Sequence, residues 1–283
     1  MVMVLVLIFL TWLGLASGSF ANALVWRLRE QASSSGTNPR FSAKELSIIK
    51  GRSMCPHCGH QLSAGDLVPV LSWLFLSGRC RYCNSSISAQ YPIVELSGAL
   101  VFTLSYVFWP GGVHGGSDWL LLITWLLSAV GLLALLIYDA RWTILPNKII
   151  YPTLFIALAG RLLNIVLFSD NKAHHLWLLA SSLLVASGVF WLLFMFSKGR
   201  WIGYGDVRLG LVIGALLASP TKSFLMIFMA SVLGLLFTSP ALVRKQKNLA
   251  SQMPFGPFLI SACWLTLLFG DRLINWYTQL FNS

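Results

Sequence analysis

Charged residues are spaced so unevenly along this chain that the gaps between them outline its helices. Uncharged, largely apolar runs cover residues 1–26, 96–117, 119–138, 173–197, 223–243 and 248–270. Each is near or above the ~20 residues that a bilayer-spanning helix needs. A further run, 149–168, is interrupted only by Arg161, close enough to one end for its head to snorkel. The run at 209–221 has 13 residues. At ~1.5 Å per residue it falls short of a ~30 Å hydrocarbon core, unless it is extended at one end or begins below the membrane surface. The pattern predicts eight transmembrane helices in an all-α polytopic membrane protein, with the short run as helix six.

Composition agrees. Of 283 residues, 57% are hydrophobic and 10% charged, against about 25% charged in a soluble domain. Soluble, disordered and disulfide-scaffold classes are excluded. Twenty basic residues against nine acidic ones leave a net charge of +11. That surplus follows topology: all but Arg161, Lys172, Lys222 and Arg272 fall on one set of alternating segments, after helices one, three, five and seven. The positive-inside bias makes that side cytoplasmic and puts both termini outside. Nucleic acid is not needed to explain the charge. Residues 16–18 (Ala-Ser-Gly) are small enough for a signal-peptide cleavage site, but no Lys or Arg precedes the first run, and Arg27 and Arg29 follow it. A retained helix is expected.

Residues 27–90 form the one sizeable polar segment. Gln31 to Pro39 reads as a linker or loose loop. Cys55-Pro56-His57-Cys58 and Cys80-Arg81-Tyr82-Cys83 follow, with 21 residues between the pairs, slightly more than the usual 15–20. Two Cys-x-x-Cys turns on a cytoplasmic loop can close a tetrahedron of thiolates around zinc. His57 and His60 lie beside the first pair as substitute ligands or solvated neighbours. Disulfides are disfavoured in a reducing cytosol, and a module this small gains from a structural metal. Residues 66–78 between the pairs are too polar to span; their apolar side chains can pack on the metal site or lie against the membrane surface. Arg79 and Arg81 flank Cys80, yet nothing else there suggests base stacking or a groove-reading helix, so no nucleic-acid partner is expected. Cys263 stands alone in helix eight, as a packed thiol.

With only nine acidic residues, each can be asked what it does. Glu30, Glu45 and Asp66 belong to the polar segment; Asp118, Asp170 and Asp271 sit at or near outer helix ends as solvated caps. Glu95, Asp139 and Asp206 remain. Asp139 ends helix three and Asp206 opens helix six, in Gly203-Tyr204-Gly205-Asp206. The topology puts both at cytoplasmic helix ends, hence at one depth. Taken singly, each can be a helix cap or the partner of Arg141 or Arg208. The two glycines argue further: they permit close approach and φ > 0, and irregular backbone is tolerated in a membrane only where it lines a cavity or is buried in protein. Two facing carboxylates cannot both ionise readily. The charged one can take a proton from water and the protonated one give a proton to the carbonyl oxygen or leaving amine, which hydrolyses a peptide without a covalent intermediate.

The Gly203–Asp206 tetrapeptide with an upstream Asp resembles the GxGD intramembrane aspartic proteases. Further stretches narrow the resemblance to the bacterial prepilin leader peptidase family: Gly18-Ser-Phe-Ala-Asn22 with Arg27-Leu28, Cys55 to Cys58, Pro69-Val-Leu-Ser-Trp73, Gly78 to Cys83, Tyr91-Pro-Ile-Val-Glu95, Asp139 followed by Leu145-Pro146, and Pro254-Phe-Gly-Pro257. Together they cover nearly the whole chain, in order. The resemblance implies a bifunctional inner-membrane enzyme. It would cut the basic leader from type IV prepilins or type II secretion pseudopilins at the cytoplasmic face, with Asp139 and Asp206 catalytic and Gly203, Tyr204 and Gly205 in the active-site loop. It would then methylate the new N-terminal residue with S-adenosylmethionine. It also implies zinc at Cys55, Cys58, Cys80 and Cys83. Asn147 stands where the family often has Asp, and Arg29 where it often has Pro. No Gly-rich S-adenosylmethionine loop follows a strand, so methyl transfer rests on the resemblance alone. Glu95 either helps hold the amine or cofactor or pairs with a loop Arg. The expected organisation is helix one at 1–26, a zinc-binding cytoplasmic domain at 27–90 and a protease core at 91–283. A proton- or ion-coupled transporter is the other class that intramembrane Asp residues suggest, although the paired broken helices of inverted repeats are not visible.

Overall fold

The computed structural model describes residues 2–33, 41–48, 50–243 and 254–282. Its helices are α1 (Val2–Ser33), α2 (Leu71–Phe75), α3 (Gln90–Val107), α4 (Gly116–Trp142), α5 (Asn147–Phe168), α6 (Lys172–Ser197), α7 (Tyr204–Leu217), α8 (Pro220–Val243) and α9 (Gly256–Asn282). Among the described residues there are isolated bridges but no strand. Six helices, α1, α4, α5, α6, α8 and α9, are long and apolar enough to cross a membrane; α3 and α7 are shorter, at 18 and 14 residues. Each expected run overlaps a helix, although 96–117 leaves α3 at Val107 and 209–221 leaves α7 at Leu217, and α2 adds a short helix inside the polar segment. Boundaries moved where a charge sits inside a helix. α1 continues past Trp26 to Ser33, so the first three residues of the expected loose loop are helical, while 34–39 lie outside the described residues. So do the topology-setting Arg40, Arg244, Lys245 and Lys247 and the start of the last run.

The chain divides into two compact units, Met1–Leu104 and Ser105–Ser283. In the first, α1 and α3 approach through glycine. A Cβ on Gly18 would come 2.6 Å from the Glu95 Cα and one on Gly14 2.7 Å from the Ala99 Cα, the small-residue seam typical of membrane helices. The Asn22 amide donates to the Tyr91 carbonyl at 3.2 Å and accepts from Gln90 at 3.1 Å. Arg27 is buried and donates to the carbonyls of Ser47, Ile48 and Gly51 at 3.0–3.2 Å. This explains why the helix runs through its first charge: the guanidinium anchors the polar segment instead of ending the span.

In the second unit α7 sits among helices α5, α6, α8 and α9, and ten of its fourteen residues are buried. A helix rising only ~21 Å is thus covered by protein rather than lipid. Its seam with α6 is again built on glycine: a Cβ on Gly214 would lie 2.9 Å from the Leu183 Cα, and one on Gly210 2.9 Å from the Ser187 Cα. Ser182 and Ser187 of α6 donate to the carbonyls of Gly214 and Val207 at 2.8 and 2.9 Å. The indoles of Trp125 in α4 and Trp264 in α9 both donate to the Ser105 hydroxyl, at 2.9 and 3.1 Å.

Candidate functional site

Asp139 lies in the last turn of α4 and is 5% exposed; Asp206 is the third residue of α7 and 9% exposed. The two are within electrostatic range of each other. Each meets a helix N-terminus. Asp139 Oδ2 accepts the backbone N–H of Gly256, the first residue of α9, at 3.0 Å, and Asp206 occupies the first turn of its own helix. Unpaired amides and the helix dipole favour a carboxylate at both places. Asp139 therefore is a cap, but of α9 and not of its own helix. The ion-pair alternative is not realised: among the described residues neither aspartate has a salt bridge. The Arg141 guanidinium lies 5.8 Å from the Trp142 ring centre. Arg208 sits 4.4 Å over the Tyr204 ring and donates to the Asn147 side chain.

Of the two uses expected of the glycines, close approach is realised and positive φ is not. Gly203 is extended at φ −76°, Gly205 is inside regular helix, and neither has positive φ. Gly205 supplies room, since a Cβ there would lie 3.0 Å from the Leu145 Cβ, so the stretch between α4 and α5 packs onto the start of α7. Tyr204 is exposed and holds Arg208 by its ring face. Gly256 belongs to Pro254-Phe-Gly-Pro257, a stretch that carries the family resemblance, but the sequence does not show that its amide meets Asp139. A Cβ there would stand 2.7 Å from Asp139 Oδ2, so only glycine brings this amide to that carboxylate.

The four cysteines come together. Cys55, Cys58, Cys80 and Cys83 place all their sulfurs within 4.8 Å of one another, with 3.8 Å between Cys55 and Cys83. Thiolates at ~2.3 Å from a tetrahedral metal are ~3.8 Å apart, so the donor set fits a metal ion. The two turns repeat one design: Cys55 N–H donates to the His60 carbonyl and Cys80 N–H to the Ser85 carbonyl, at 3.0 and 2.9 Å. The residue after each second cysteine, Gly59 and Asn84, is left-handed, at φ 71° and 59°, where Gly and Asn cost least. Ser85, by side chain and backbone, pulls the Cys83 thiol down to about 6, toward the thiolate that a metal requires. Neither His57 nor His60 belongs to the cluster; the His60 ring stacks 3.7 Å from Tyr82. Cys263 is buried, as expected.

Glu95 is 6% exposed. Its partner is not a loop Arg: Oε2 accepts the Val70 backbone N–H at 2.7 Å. Val70 has φ 62° and ψ −51°, and the next amide bonds back to the Pro69 carbonyl at 2.6 Å. This is a γ-turn of the rare, strained hand. The buried carboxylate holds that turn and, with it, the start of α2.

With helices as its only regular elements among the described residues, six of them fit to cross a bilayer, the chain is a multi-pass membrane protein that carries a four-thiol loop and two buried aspartates. Residues 12–109 match the bacterial peptidase A24 N-terminal domain, and 125–239 the type IV leader peptidase family. The chain is 32% identical to the prepilin leader peptidase/N-methyltransferase of Stutzerimonas stutzeri, over 94% of this chain and 92% of that one. Proteins of the same description from Pseudomonas aeruginosa and Burkholderia pseudomallei are 31% and 34% identical, over 94% and 91% of this chain and 91% and 84% of theirs. No solved structure matches. The chain belongs to the type IV leader peptidase family.

Proposed function

We propose that this protein is a prepilin peptidase that removes the basic leader of type IV prepilins or type II secretion pseudopilins by two-aspartate hydrolysis. Asp139 and Asp206 share a proton. The ionised carboxylate takes a proton from a water whose oxygen adds to the scissile carbonyl, and the protonated one delivers its proton to the carbonyl oxygen; as the C–N bond breaks, the proton taken from water passes to the leaving amine and a hydroxyl proton of the tetrahedral intermediate returns to the second carboxylate, restoring the pair. One observation carries this reading: two buried aspartates lie within electrostatic range of each other, and among the described residues neither has a salt bridge. No relative's name or family description points to transport.

The same protein methylates the new N-terminal residue with S-adenosylmethionine, a function its family membership supports. Among the described residues there is no strand, so the strand–Gly-loop–helix cradle of doubly wound cofactor sites has no counterpart, and no residue is assigned to the methyl donor. The chain spans the bacterial inner membrane eight times, α3 and α7 being the short spans. Both termini are periplasmic, the aspartates face the cytoplasm, and Cys55, Cys58, Cys80 and Cys83 hold structural zinc.

Asp139→Asn and Asp206→Asn each abolish cleavage of a full-length prepilin by the purified protein, read by product mass, while thermal unfolding stays within a few degrees of wild type. Full cleavage by either folded variant would end the two-aspartate mechanism.

A further inference from the structure

At the end of α7 away from Asp206 lies a cavity of about 160 Å³, lined in part by Trp109, Asp118, Trp125, Arg161, Lys222 and Leu267. Leu216, where the cavity meets α7, is ten residues from Asp206, so the two sites are ~15 Å apart along the helix. The peptidase chemistry uses none of these side chains. A cavity of ~150 Å³ admits a molecule the size of benzene, so this one has room for a small polar headgroup.

Its charges come in an unusual arrangement. Arg161 interrupts an otherwise uncharged span, where a cation is costly unless it is solvated or paired. One guanidinium nitrogen donates to the Leu216 carbonyl at the C-terminal end of α7, and among the described residues Arg161 has no carboxylate within ion-pair distance. Among the described residues its other N–H groups form no hydrogen bond, and Arg161 lines the cavity. Asp118 lines the same space. Its Oδ2 accepts the amides of His114 and Gly115 at 3.1 and 3.0 Å, which leaves Oδ1 without a hydrogen bond among the described residues. Lys222 is neutralised by Asp271 at 2.8 Å. The wall thus offers one cation and one anion with spare hydrogen-bonding capacity. A lone phosphate would satisfy Arg161 and be repelled by Asp118; an amine alone would do the reverse. A group carrying both a phosphate and an ammonium satisfies both, and Trp109, Trp125 and Leu267 supply the apolar and amphipathic surface that the rest of a lipid requires.

We propose that this cavity seats the headgroup of a zwitterionic phospholipid, with the phosphate against Arg161 and the ammonium against Asp118. The assignment does not depend on the peptidase reading. Delipidated full-length protein in detergent is exposed to phosphatidylethanolamine or phosphatidylglycerol of identical acyl chains, and retained lipid is counted by native mass spectrometry. Wild type should hold one phosphatidylethanolamine about tenfold more tightly than phosphatidylglycerol. Arg161→Gln should weaken both by about tenfold, the loss of one charge-assisted contact. Asp118→Asn, whose amide oxygen still caps α4, should erase the preference while phosphatidylglycerol still binds. Leu267→Trp keeps both charges but fills the space, and it should abolish retention. Leu267→Trp thereby decides the question should Arg161→Gln fail to fold. Equal retention of the two lipids by wild type, or unchanged retention in Leu267→Trp, overturns the proposal. Displacement of bound lipid by excess inorganic phosphate also overturns it, because it marks a site for free anions.

Discussion

Replacing Gly256 by alanine tests how Asp139 is held without touching either carboxylate. The added Cβ would stand 2.7 Å from Asp139 Oδ2 and 3.1 Å from its Cγ. Ordinary contact begins near 3.4 Å, so the carboxylate must retreat by about 0.7 Å or the start of α9 must move. Either way the 3.0 Å bond from the Gly256 amide is stretched or lost. A hydrogen bond to a charged group is worth ~1.5–3 kcal/mol, and each ~1.4 kcal/mol in a barrier is tenfold in rate. Misplacing a reacting group by ~1 Å costs a similar ~100-fold. Gly256→Ala should therefore lower kcat for prepilin cleavage by about 10- to 100-fold, with KM little changed because the substrate-binding surface is intact. Gly234→Ala in α8 is the matched control. Its Cβ would meet Phe258 at 3.6 Å, an ordinary distance, and kcat should stay within about twofold. Kinetics on purified, detergent-solubilised protein with a full-length prepilin separate the two parameters, and thermal unfolding checks the fold. A folded Gly256→Ala variant that cleaves within about twofold of wild type would refute the idea that the first amide of α9 positions Asp139.

Purified protein should carry about one zinc per chain by elemental analysis, and Cys80→Ser should bind less than a tenth as much, since three thiolates leave the tetrahedron open. Gly210→Ala should destabilise the second unit by about 1–3 kcal/mol in chemical denaturation, as an overpacked seam does, whereas Gly188→Ala, inside α6 and facing open space, should leave stability unchanged or raise it by up to ~1 kcal/mol. Val70→Gly should leave stability unchanged or raise it. Relief of a left-handed valine returns ~1–2 kcal/mol, which offsets the ~0.5–1 kcal/mol entropic cost of glycine. Val94→Gly, at a buried helical site, should be clearly destabilising in the same assay.

The helices were legible because lipid imposes a simple rule on composition, and charge gaps obey it. The rule failed where a charge serves the fold. Arg27 lies inside α1 because three carbonyls receive it, and Asp206 and Arg208 lie inside α7 because that helix is wrapped by protein. The four cysteines were readable from spacing, since two short turns determine most of a tetrahedral site. Asp139 and Asp206 could be picked out by their solvent. The groups that hold them could not: Gly256 is 117 residues from Asp139, and a backbone amide leaves no mark on a sequence. Glu95 shows the same limit. Its charge suggested an Arg partner, while the actual partner is the amide of a strained turn. For Gly203 and Gly205 the sequence left both close packing and positive φ open, and only the neighbour, here Leu145 against Gly205, decides for close packing.

The contact between the end of α4 and the beginning of α9 also sets an order of events during synthesis. Asp139 emerges from the ribosome well before the amide that seats it, which lies 117 residues further on. A nascent or truncated chain that stops before α9 holds both aspartates yet lacks this hydrogen bond to the first of them. Full proteolytic competence would then arrive only once α9 is in place, and the membrane would be spared a half-built protease.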